Sequence, residues 1–337
     1  MKKFFLGLLL SLAILPAFAQ KTSIVDNKAI KFELTQNNDS IHFIVVDTVL
    51  TQKKPVFLWS QGSRACPLII RFENGNSLLV GISNFDIASI KKYYHLVIVS
   101  MPKTPVVANE NELTDFEYIS PNPEHRNDFF KADYWENHVE RANIVLGFLR
   151  KQSWVDNSKL VVAGHSQGAR IAPRIAFRNK NVTHLGMFSA NPFGRIDQMI
   201  QSARKNAESG KISWEKAEKE MEYWYDLYKR ANNPQEVEKT PELTPWKSYS
   251  EAQIDELVKI NIPIYLAYGT ADVGSDLCDL VPLHFIREGK DNLTLKRYFN
   301  LEHNFFEVDE NGVPDRNKRH WVEVMNEFVK WTIEEFK

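Results

Sequence analysis

The chain has 337 residues, 43% of them hydrophobic, and a formal net charge of −1 at pH 7. This length and apolar content are enough for a large core, in one elaborated domain or two small ones. The near-neutral charge, with no basic stripe interleaved with aromatic residues, disfavours nucleic acid or an anionic membrane surface as a partner. No zinc-type spacing of cysteine and histidine occurs, so the sequence predicts no metal site.

Residues 1–19 have the pattern of a secretory signal peptide. Lys2 and Lys3 form a basic start, and the apolar stretch at residues 4–15 is too short to span a bilayer comfortably. Ala17-Phe18-Ala19 is a small-x-small cleavage site, so we expect cleavage after Ala19 and a secreted or periplasmic protein. The alternative, a retained membrane anchor, is disfavoured by the short apolar run.

Eight segments further along the chain predict β-strands. Several of them are apolar on both faces, which is typical of strands in the middle of a parallel sheet that helices cover. The predicted strands are at residues 30–34, 42–48, 55–59, 96–99, 159–163, 185–188, 262–268 and 295–298.

Helix-like segments alternate with these strands, which predicts an α/β fold with a mostly parallel sheet. Residues 133–152 carry apolar side chains at helical spacing, among them Trp135 and Val139. Residues 319–336 form a closing helix. Residues 103–132 are rich in proline, asparagine and acidic residues, and they predict a long loop.

A polar, helix-prone stretch at about residues 195–255 follows the sixth strand and is far longer than an ordinary connection. Ser213 is its expected N-cap. The stripe that follows at 3.6-residue spacing consists of Trp214, Ala217, Met221, Trp224 and Tyr228. The stretch is either a structural insertion that packs this stripe on the body or a lid over a functional site, and we favour the lid.

Gly164-His165-Ser166-Gln167-Gly168 matches the pattern G-x-S-x-G, between the fifth strand and a helix-like segment at residues 169–176. This order predicts a nucleophile elbow, a strained tight turn that leaves the serine Oγ exposed at the end of a sheet. Glycines flank the turn because side chains there would collide with the neighbouring strand and helix.

A serine hydroxyl is a poor nucleophile and needs an imidazole to take its proton and a carboxylate to fix the imidazole's tautomer. Asp272 lies just beyond the seventh strand and a glycine turn, where such a carboxylate is expected; Asp276 and Asp279 are its nearby rivals. The alternative interpretation of Asp272 is an ordinary turn aspartate.

The histidine is expected in a loop after the last strand, and His303 has that position. His320 falls inside the closing helix, and His284 is too near Asp272 in sequence. His165, inside the elbow, is expected to pack or hydrogen-bond near the serine rather than to titrate in a reaction.

The order Ser166, Asp272, His303, together with the intervening strands, resembles the α/β-hydrolase superfamily. The resemblance covers nearly all of residues 20–337, from the third strand to the last helix, and the elbow is its most specific part. It implies a mainly parallel eight-stranded sheet flanked by helices, and the hydrolysis of esters, thioesters or amides without a cofactor.

An oxyanion hole needs two backbone N–H donors near the nucleophile. One is expected from Gln167, at the positive N-terminal end of a helix. The resemblance implies that the other comes from Ser60-Gln61-Gly62-Ser63-Arg64, the loop after the third strand, which departs from the family's common His-Gly pattern. We expect Gly62 or Ser63 to be this donor. Arg64 either binds a substrate carboxylate or lies in solvent.

These residues predict an exported serine hydrolase that cleaves carboxylic esters through an acyl-enzyme on Ser166, with a small-molecule ester or peptide as its substrate and no cofactor. One alternative is an exopeptidase or amide hydrolase of the same fold. Another is a member of the fold that only binds a ligand, since fold does not determine function. The sequence does not predict an oligomeric state.

The two cysteines, Cys66 and Cys278, are expected in loops that emerge at the same edge of the sheet. A disulfide in an oxidising compartment and two free, buried thiols are both compatible with the sequence, because two cysteines form no pattern that tests the pairing.

Overall fold

The computed structural model of the chain describes residues 20–36, 39–118 and 123–334. The predicted signal peptide lies outside the described residues, as do the last residues of the predicted closing helix. The signal peptide and its cleavage after Ala19 therefore stay predictions. Within the described part of the chain, no helix has both the length and the apolar character needed to cross a membrane.

The described residues contain nine strands in one main sheet and further strands in three small sheets. In chain order the strands are β1 (Gln20–Val25), β2 (Ala29–Gln36), β3 (Asp39–Val45), β4 (Lys54–Ser60), β5 (Ile69–Arg71), β6 (Ser77–Leu79), β7 (His95–Val99), β8 (Val107–Asn109), β9 (Leu113–Thr114), β10 (Glu117–Tyr118), β11 (Val155–His165), β12 (His184–Phe188), β13 (Ile264–Gly269), β14 (Leu293–Tyr298), β15 (Phe306–Val308) and β16 (Pro314–Arg319).

Helices connect these strands, and a short 3-10 helix spans Glu110–Glu112. In chain order the α-helices are α1 (Ile87–Tyr93), α2 (Pro123–Ala132), α3 (Trp135–Leu149), α4 (Gly168–Arg178), α5 (Arg195–Glu208), α6 (Trp214–Ala231), α7 (Pro234–Lys239), α8 (Leu243–Ser248), α9 (Ile254–Leu257), α10 (Ser275–Arg287) and α11 (Trp321–Glu334).

The main sheet has the strand order β1-β2-β3-β7-β4-β11-β12-β13-β14. The pairs from β1 to β7 are antiparallel, and those from β7 to β14 are parallel. The mainly parallel α/β sheet predicted from the sequence is therefore confirmed. Parallel strands bring their carboxyl ends to one edge, so the segments that follow β4, β11, β13 and β14 meet there.

Helices cover both faces of this sheet, and β4 shows how its side chains divide between them. Val56 and Leu58 belong to the core under α3, α4 and α10. Phe57 and Trp59 belong to the core under α1 and α11, where Phe57 packs against the ring of Phe328. Successive side chains of a strand point to opposite faces, and both faces are buried, so the strand is continuously apolar.

The main sheet has one strand more than the eight predicted. The additional strand is β1, which pairs with β2 at the edge of the sheet. Val25 is buried, whereas the side chains at residues 21–24 are exposed. Because an edge strand buries so little, its sequence lacks the apolar pattern from which strands are predicted.

The long loop predicted over residues 103–132 is wrong in part, because these residues include β8, β9, β10, the 3-10 helix and α2. β8 pairs in parallel with β5 in a small sheet. Helix α2 buries Phe129 and exposes most of its other described side chains. Strands of two or three residues and a mostly exposed helix leave no apolar periodicity in the sequence.

Between β12 and β13 the chain forms helices α5 to α9. Ser213 is the N-cap of α6, as predicted, and its hydroxyl accepts a hydrogen bond from a backbone N–H of the first turn. The predicted stripe is wrong at Trp214 and Tyr228, which are exposed. The helix packs through smaller side chains that allow close approach to its neighbours. Its buried residues are Ala217, Leu227 and Ala231.

Cys66 and Cys278 are both buried and both free. Cys278 lies in helix α10 rather than in the loop expected from the sequence. Burial raises the pKa of the Cys66 thiol to about 11. A thiol with such a pKa is protonated and unreactive at neutral pH.

Gly186 in β12 provides a test of the core packing. A Cβ at this position would lie 2.8 Å from the Cβ of Ala163 and 2.7 Å from the ring of Phe328. We expect Gly186→Ala to lower the free energy of unfolding by about 1–3 kcal/mol, because an overpacked core forces its neighbours apart. Chemical denaturation of the wild type and the variant measures this difference.

Gly147 in α3 is the matched control, because a Cβ there would meet nothing within 4 Å. We expect Gly147→Ala to leave the free energy of unfolding unchanged or to raise it by up to about 1 kcal/mol, since alanine favours a helix over glycine. A Gly186→Ala protein as stable as the wild type would contradict the packing described.

Candidate active site

Ser166 lies in a tight turn between strand β11 and helix α4. Its φ angle is +57°, in the left-handed region that non-glycine residues rarely adopt. The backbone N–H of Ser166 donates a hydrogen bond to the Phe188 carbonyl at the end of the adjacent strand, at 2.9 Å. The turn therefore presents the serine at the carboxyl edge of the sheet with its backbone held in a strained conformation.

The flanking glycines allow two backbone segments to approach within a distance that excludes any side chain. A Cβ at Gly164 would lie 2.4 Å from the carbonyl oxygen of Gly168. A Cβ at Gly168 would lie 2.0 Å from the carbonyl oxygen of Ser60 in β4. Both contacts are with backbone atoms, so a larger residue at either position would displace the strand or the helix.

Three side chains predicted to act together form a continuous hydrogen-bonded chain at this edge. Ser166 Oγ is 3.0 Å from Nε2 of His303. Nδ1 of His303 is 3.1 Å from both carboxylate oxygens of Asp272. Asp272 is buried and His303 is half-buried. With Nδ1–H donating to the carboxylate, Nε2 is left as the acceptor of the serine hydroxyl proton.

The loops that carry Asp272 and His303 are joined to each other through their backbones. A Cβ at Gly269 would lie 2.0 Å from the Leu301 carbonyl oxygen, so glycine is required for this approach. The N–H of Ala271 donates to that same carbonyl at 3.0 Å. The carboxylate and the imidazole are thus brought to a fixed separation by adjacent strand ends.

Glu302 organises the turn in which His303 lies. Its Oε1 accepts hydrogen bonds from the backbone N–H groups of Asn304, at 2.7 Å, and Phe306, at 3.1 Å. Phe305 has a φ angle of +56° and is fully buried. These contacts restrain the backbone on both sides of the imidazole, so its orientation does not depend on Asp272 alone.

The alternative acids and histidines have other partners. Asp276 forms an ion pair with Lys205 at 2.7 Å, and Asp279 forms one with Arg297 at 2.7 Å. His320 contacts two glutamates, and the His284 ring stacks near that of Phe193. The geometry therefore brings Asp272 and His303, rather than these rivals, to Ser166.

His165 contacts the loop that carries His303. Its Nε2 donates a 2.8 Å hydrogen bond to the His303 carbonyl, and its ring meets the edge of Trp321 at 5.1 Å between centroids. Burial, together with the neighbouring imidazole of His303, lowers the pKa of His165 to about 3. His165 is therefore neutral at physiological pH, consistent with the expected packing role.

Opposing influences determine the charge of His303. Burial lowers the pKa of its imidazole, whereas the charge and hydrogen bond of Asp272 raise it, with a smaller contribution from Glu302. The net pKa lies above the ordinary value of 6.5. The site thus stabilises the imidazolium form, which is the form that a base produces when it accepts a proton.

Residues from two segments border the space beside Ser166. Gln167 and Ser63 line the same cavity as the serine, and Gln167 precedes the first turn of α4. A Cβ at Gly62 would lie 3.8 Å from the Cβ of Ser166, so this loop passes directly beside the turn. Within the described residues, the N–H groups of Gln167, Gly62 and Ser63 donate no hydrogen bond to the protein.

Asp133, which the sequence analysis did not single out, fixes the side chain of Gln167. The Gln167 Nε2 donates to Asp133 Oδ1 at 2.7 Å, and the same oxygen accepts from the Tyr249 hydroxyl at 3.1 Å. Nε2 of His138 lies 2.9 Å from it as well. A buried carboxylate in a segment predicted to be the start of a helix carries no motif, so no sequence signal indicated this role.

Two cavities meet at the site. The smaller has a volume of about 240 Å³ and contains Ser166 and His303 at its surface. The larger, of about 780 Å³, opens beside it, and Ser63 and Arg195 line both. Residues of α5 line the smaller cavity and residues of α8 line the larger one.

Three arginines lie near the site, and they are divided between the two cavities. Arg64 lines the larger cavity, where its Nη1 donates to the Asp115 carbonyl at 2.8 Å and its Nε lies 3.3 Å from a Glu117 oxygen. Its side chain is exposed, and these contacts are with the residues at 115–117. Arg170 and Arg195 line the smaller cavity, and the sequence alone indicated no role at the site for either of them.

The described residues contain no group of three or more histidine, cysteine, aspartate or glutamate side chains placed to hold a metal ion. The polar groups around Ser166 are the imidazole, the two arginines and hydrogen-bonding amides. Their arrangement combines a hydroxyl, an adjacent base and free N–H donors, which is the set of groups that acyl transfer requires.

Solved structures with similar folds were found. An acylaminoacyl peptidase from Pyrococcus horikoshii aligns with a TM-score of 0.54 at 12% identity, covering 94% of this chain and 42% of that chain. Acetyl xylan esterase 1 from Thermoanaerobacterium sp. aligns with a TM-score of 0.50 at 13% identity, covering 94% of this chain and 88% of that chain. The chain thus spans less than half the length of the peptidase.

Identities this low show the fold alone, and that fold is the α/β-hydrolase fold predicted from the elbow and its neighbouring strands. A scan against protein-family models finds no match to the chain. No curated protein matches its sequence.

The protonation of His303 tests the arrangement without reference to any activity. In ¹H–¹⁵N NMR titrations of the wild type, we expect the His303 pKa to lie above 6.5, because Asp272 stabilises the imidazolium. In Asp272→Asn, burial remains while the negative charge is lost, so we expect a pKa below 6.5. A wild-type value at or below 6.5, or no change in the variant, would argue against the Asp272–His303 contact.

Proposed function

This chain is an α/β-hydrolase by its fold, and we propose that it is a serine hydrolase that cleaves carboxylic esters through an acyl-enzyme on Ser166. The observation that supports this most is the 3.0 Å contact between Ser166 Oγ and His303 Nε2, with Asp272 on the other ring nitrogen. A general base must lie within hydrogen-bond reach of the proton that it removes, and this geometry meets that condition.

In the first step, Ser166 Oγ attacks the carbonyl carbon of the ester while its proton passes to Nε2 of His303. The carbonyl electron pair moves onto oxygen, and the Asp272 carboxylate stabilises the imidazolium that forms. The oxyanion accepts hydrogen bonds from the Gln167 N–H, at the positive end of α4, and from the N–H of Gly62 or Ser63.

The tetrahedral intermediate then collapses. The bond from the carbonyl carbon to the alcohol oxygen breaks, and His303 gives its proton to the departing alkoxide, which leaves the acyl group on Ser166. Water enters, loses a proton to the same imidazole and attacks the acyl carbon. Collapse of this second intermediate releases the acid and returns the proton to Ser166.

We propose that helices α5 and α8 act as part of a lid over this site. Gln198 and Met199 of α5 line the cavity that contains Ser166, and Pro245 and Trp246 of α8 line the adjoining one. A cover of this kind excludes water from the reacting groups and orients the substrate. Its aromatic and apolar surface suits the uncharged part of an ester.

The two solved structures differ in the share of their own length that this chain covers. The acetyl xylan esterase is matched over 88% of its length, whereas the acylaminoacyl peptidase is matched over only 42% of its own. The greater part of the peptidase therefore has no counterpart in this chain. We take ester cleavage as the function and amide cleavage as an outcome that the experiment distinguishes.

The test measures turnover and covalent labelling together. Purified wild-type protein is expected to hydrolyse p-nitrophenyl esters in preference to aminoacyl p-nitroanilides and to react with a fluorophosphonate probe. In Ser166→Ala both activities should fall by several orders of magnitude, because Ser166 provides the hydroxyl that, among the described residues, is hydrogen-bonded to the His303 base. Absorbance at the p-nitrophenol band and in-gel fluorescence provide the two readouts.

Ser189 offers a matched control, since it lines the same cavity and also has a left-handed backbone, with a φ angle of +53°. Ser189→Ala should still react with the probe. Failure of well-folded wild-type protein to react would favour a protein that only binds a ligand. A preference for the anilides would replace the esterase function with a peptidase one.

A further inference from the structure

Two arginines lie in the cavity that contains Ser166 and His303. Arg170 comes from the first turn of α4 and Arg195 from the start of α5, and both line the 240 Å³ cavity. Within the described residues, neither side chain has a carboxylate oxygen within 4.0 Å; the ion pairs of the protein involve other arginines. Two cations therefore line the same small space with no carboxylate of the described residues in direct contact, and Asp133 and Asp197 act on them only from a greater distance.

Arg170 is almost fully buried, with 4% of its surface exposed. Its Nη2 donates to the Gly194 carbonyl and to the Gln198 amide oxygen, both at 3.2 Å. These acceptors are neutral. Burial, together with the nearby charge of Arg195, lowers the pKa of Arg170 to about 10. The guanidinium is thus held in a position where its charge is destabilised by the protein itself.

Arg195 is held by an aromatic ring rather than by an acid. Its guanidinium carbon lies 4.2 Å from the centre of the Trp246 ring. Asp133 is the carboxylate that raises the pKa of Arg195, and it already accepts hydrogen bonds from Gln167 and Tyr249. Burial lowers the pKa of Arg195, and Asp133 offsets this only in part. The fork of donors on Arg195 remains available to the cavity.

Two other arginines that are buried each have a carboxylate partner. Arg141 has Asp39 at 3.1 Å, and Arg174 has Glu256 at 3.7 Å. Both arginines are 4% exposed or less, as is Arg170. Charged side chains are rarely buried unless they are paired. Among the described residues, the buried Arg141 and Arg174 have carboxylate partners, whereas the buried Arg170 and the half-buried Arg195 have none within 4.0 Å, which is explained best by a partner that arrives with the substrate.

We propose that the substrate carries a carboxylate, which Arg170 and Arg195 bind in the cavity beside Ser166. This inference rests on the proposed function and adds the substrate class: an acyl ester with a carboxylate close to the scissile bond. The 240 Å³ cavity holds that charged part, and the adjoining 780 Å³ cavity holds the rest of the molecule. Arginine presents parallel N–H donors that match the two oxygens of a carboxylate.

The experiment compares two esters of equal length and different charge. Mono-p-nitrophenyl succinate has a carboxylate where p-nitrophenyl butyrate has a methyl group. We expect the wild type to have a kcat/KM at least about 10-fold higher for the succinate, because each charge-assisted contact stabilises the bound anion. A butyryl ester of 3-hydroxybenzoate places the carboxylate on the leaving group instead and shows which side of the ester enters the cavity.

Substitutions test whether the arginines cause the preference for a carboxylate ester. Arg195→Gln should lower kcat/KM for the preferred carboxylate ester by about 10- to 100-fold and change that for the butyrate by less than about 3-fold. Arg204→Gln on the same helix is the control, because Arg204 is exposed and pairs with Glu208 at 2.8 Å. Its kinetics should match those of the wild type with every ester.

A measurement on the wild type alone avoids the risk that Arg170 variants do not fold. Succinate should slow fluorophosphonate labelling of Ser166, and succinamide at the same concentration should not. Equal rates for the butyrate and both carboxylate esters, or equal losses with charged and neutral esters in Arg195→Gln, would overturn the inference. In that case turnover of the butyrate and labelling by the probe would persist, so the proposed function would stand.

Discussion

The close approach of backbone at the turn between β11 and α4 is the constraint on which the site depends. Gly168 lies so near the Ser60 carbonyl, and Gly164 so near Gly168, that no side chain fits at either position. This packing compresses the turn, holds Ser166 in a left-handed conformation and points the first turn of α4 at the space beside the serine. Strain in the turn is offset by the buried sheet and helix that enclose it.

The same principle, backbone brought against backbone at the ends of parallel strands, places the rest of the site. Gly269 allows the segments after β13 and β14 to touch, which brings Asp272 to His303 although the two are distant in sequence. The helices between β12 and β13 then enclose the space above. A rigid sheet edge thus carries Ser166, Asp272 and His303, whereas helix α5, which lines the adjoining cavity, belongs to a part of the chain with its own small core.

Much of this arrangement could be predicted from local sequence patterns. The features that depend on contacts between residues distant in sequence could not. All eight predicted strands lie in the main sheet, since strands buried on both faces are continuously apolar, and the elbow was evident because glycine spacing is a local requirement. β1 was missed because an edge strand buries little. Asp133, Arg170 and Arg195 were not predicted, because they act through partners far away in sequence. The sequence around a single charged residue in a helix does not show whether its side chain lies on the surface or in a cavity.

Trapping the acyl group tests most directly whether the strained turn delivers Ser166 to His303 as an acyl acceptor. Wild-type protein mixed with excess p-nitrophenyl acetate and quenched in acid during turnover is digested and mapped by mass spectrometry. We expect one acetyl group on the peptide that contains Ser166, and none on that peptide in His303→Ala. Turnover with the acetyl group on another residue, or steady turnover with Ser166 never acylated, would contradict it.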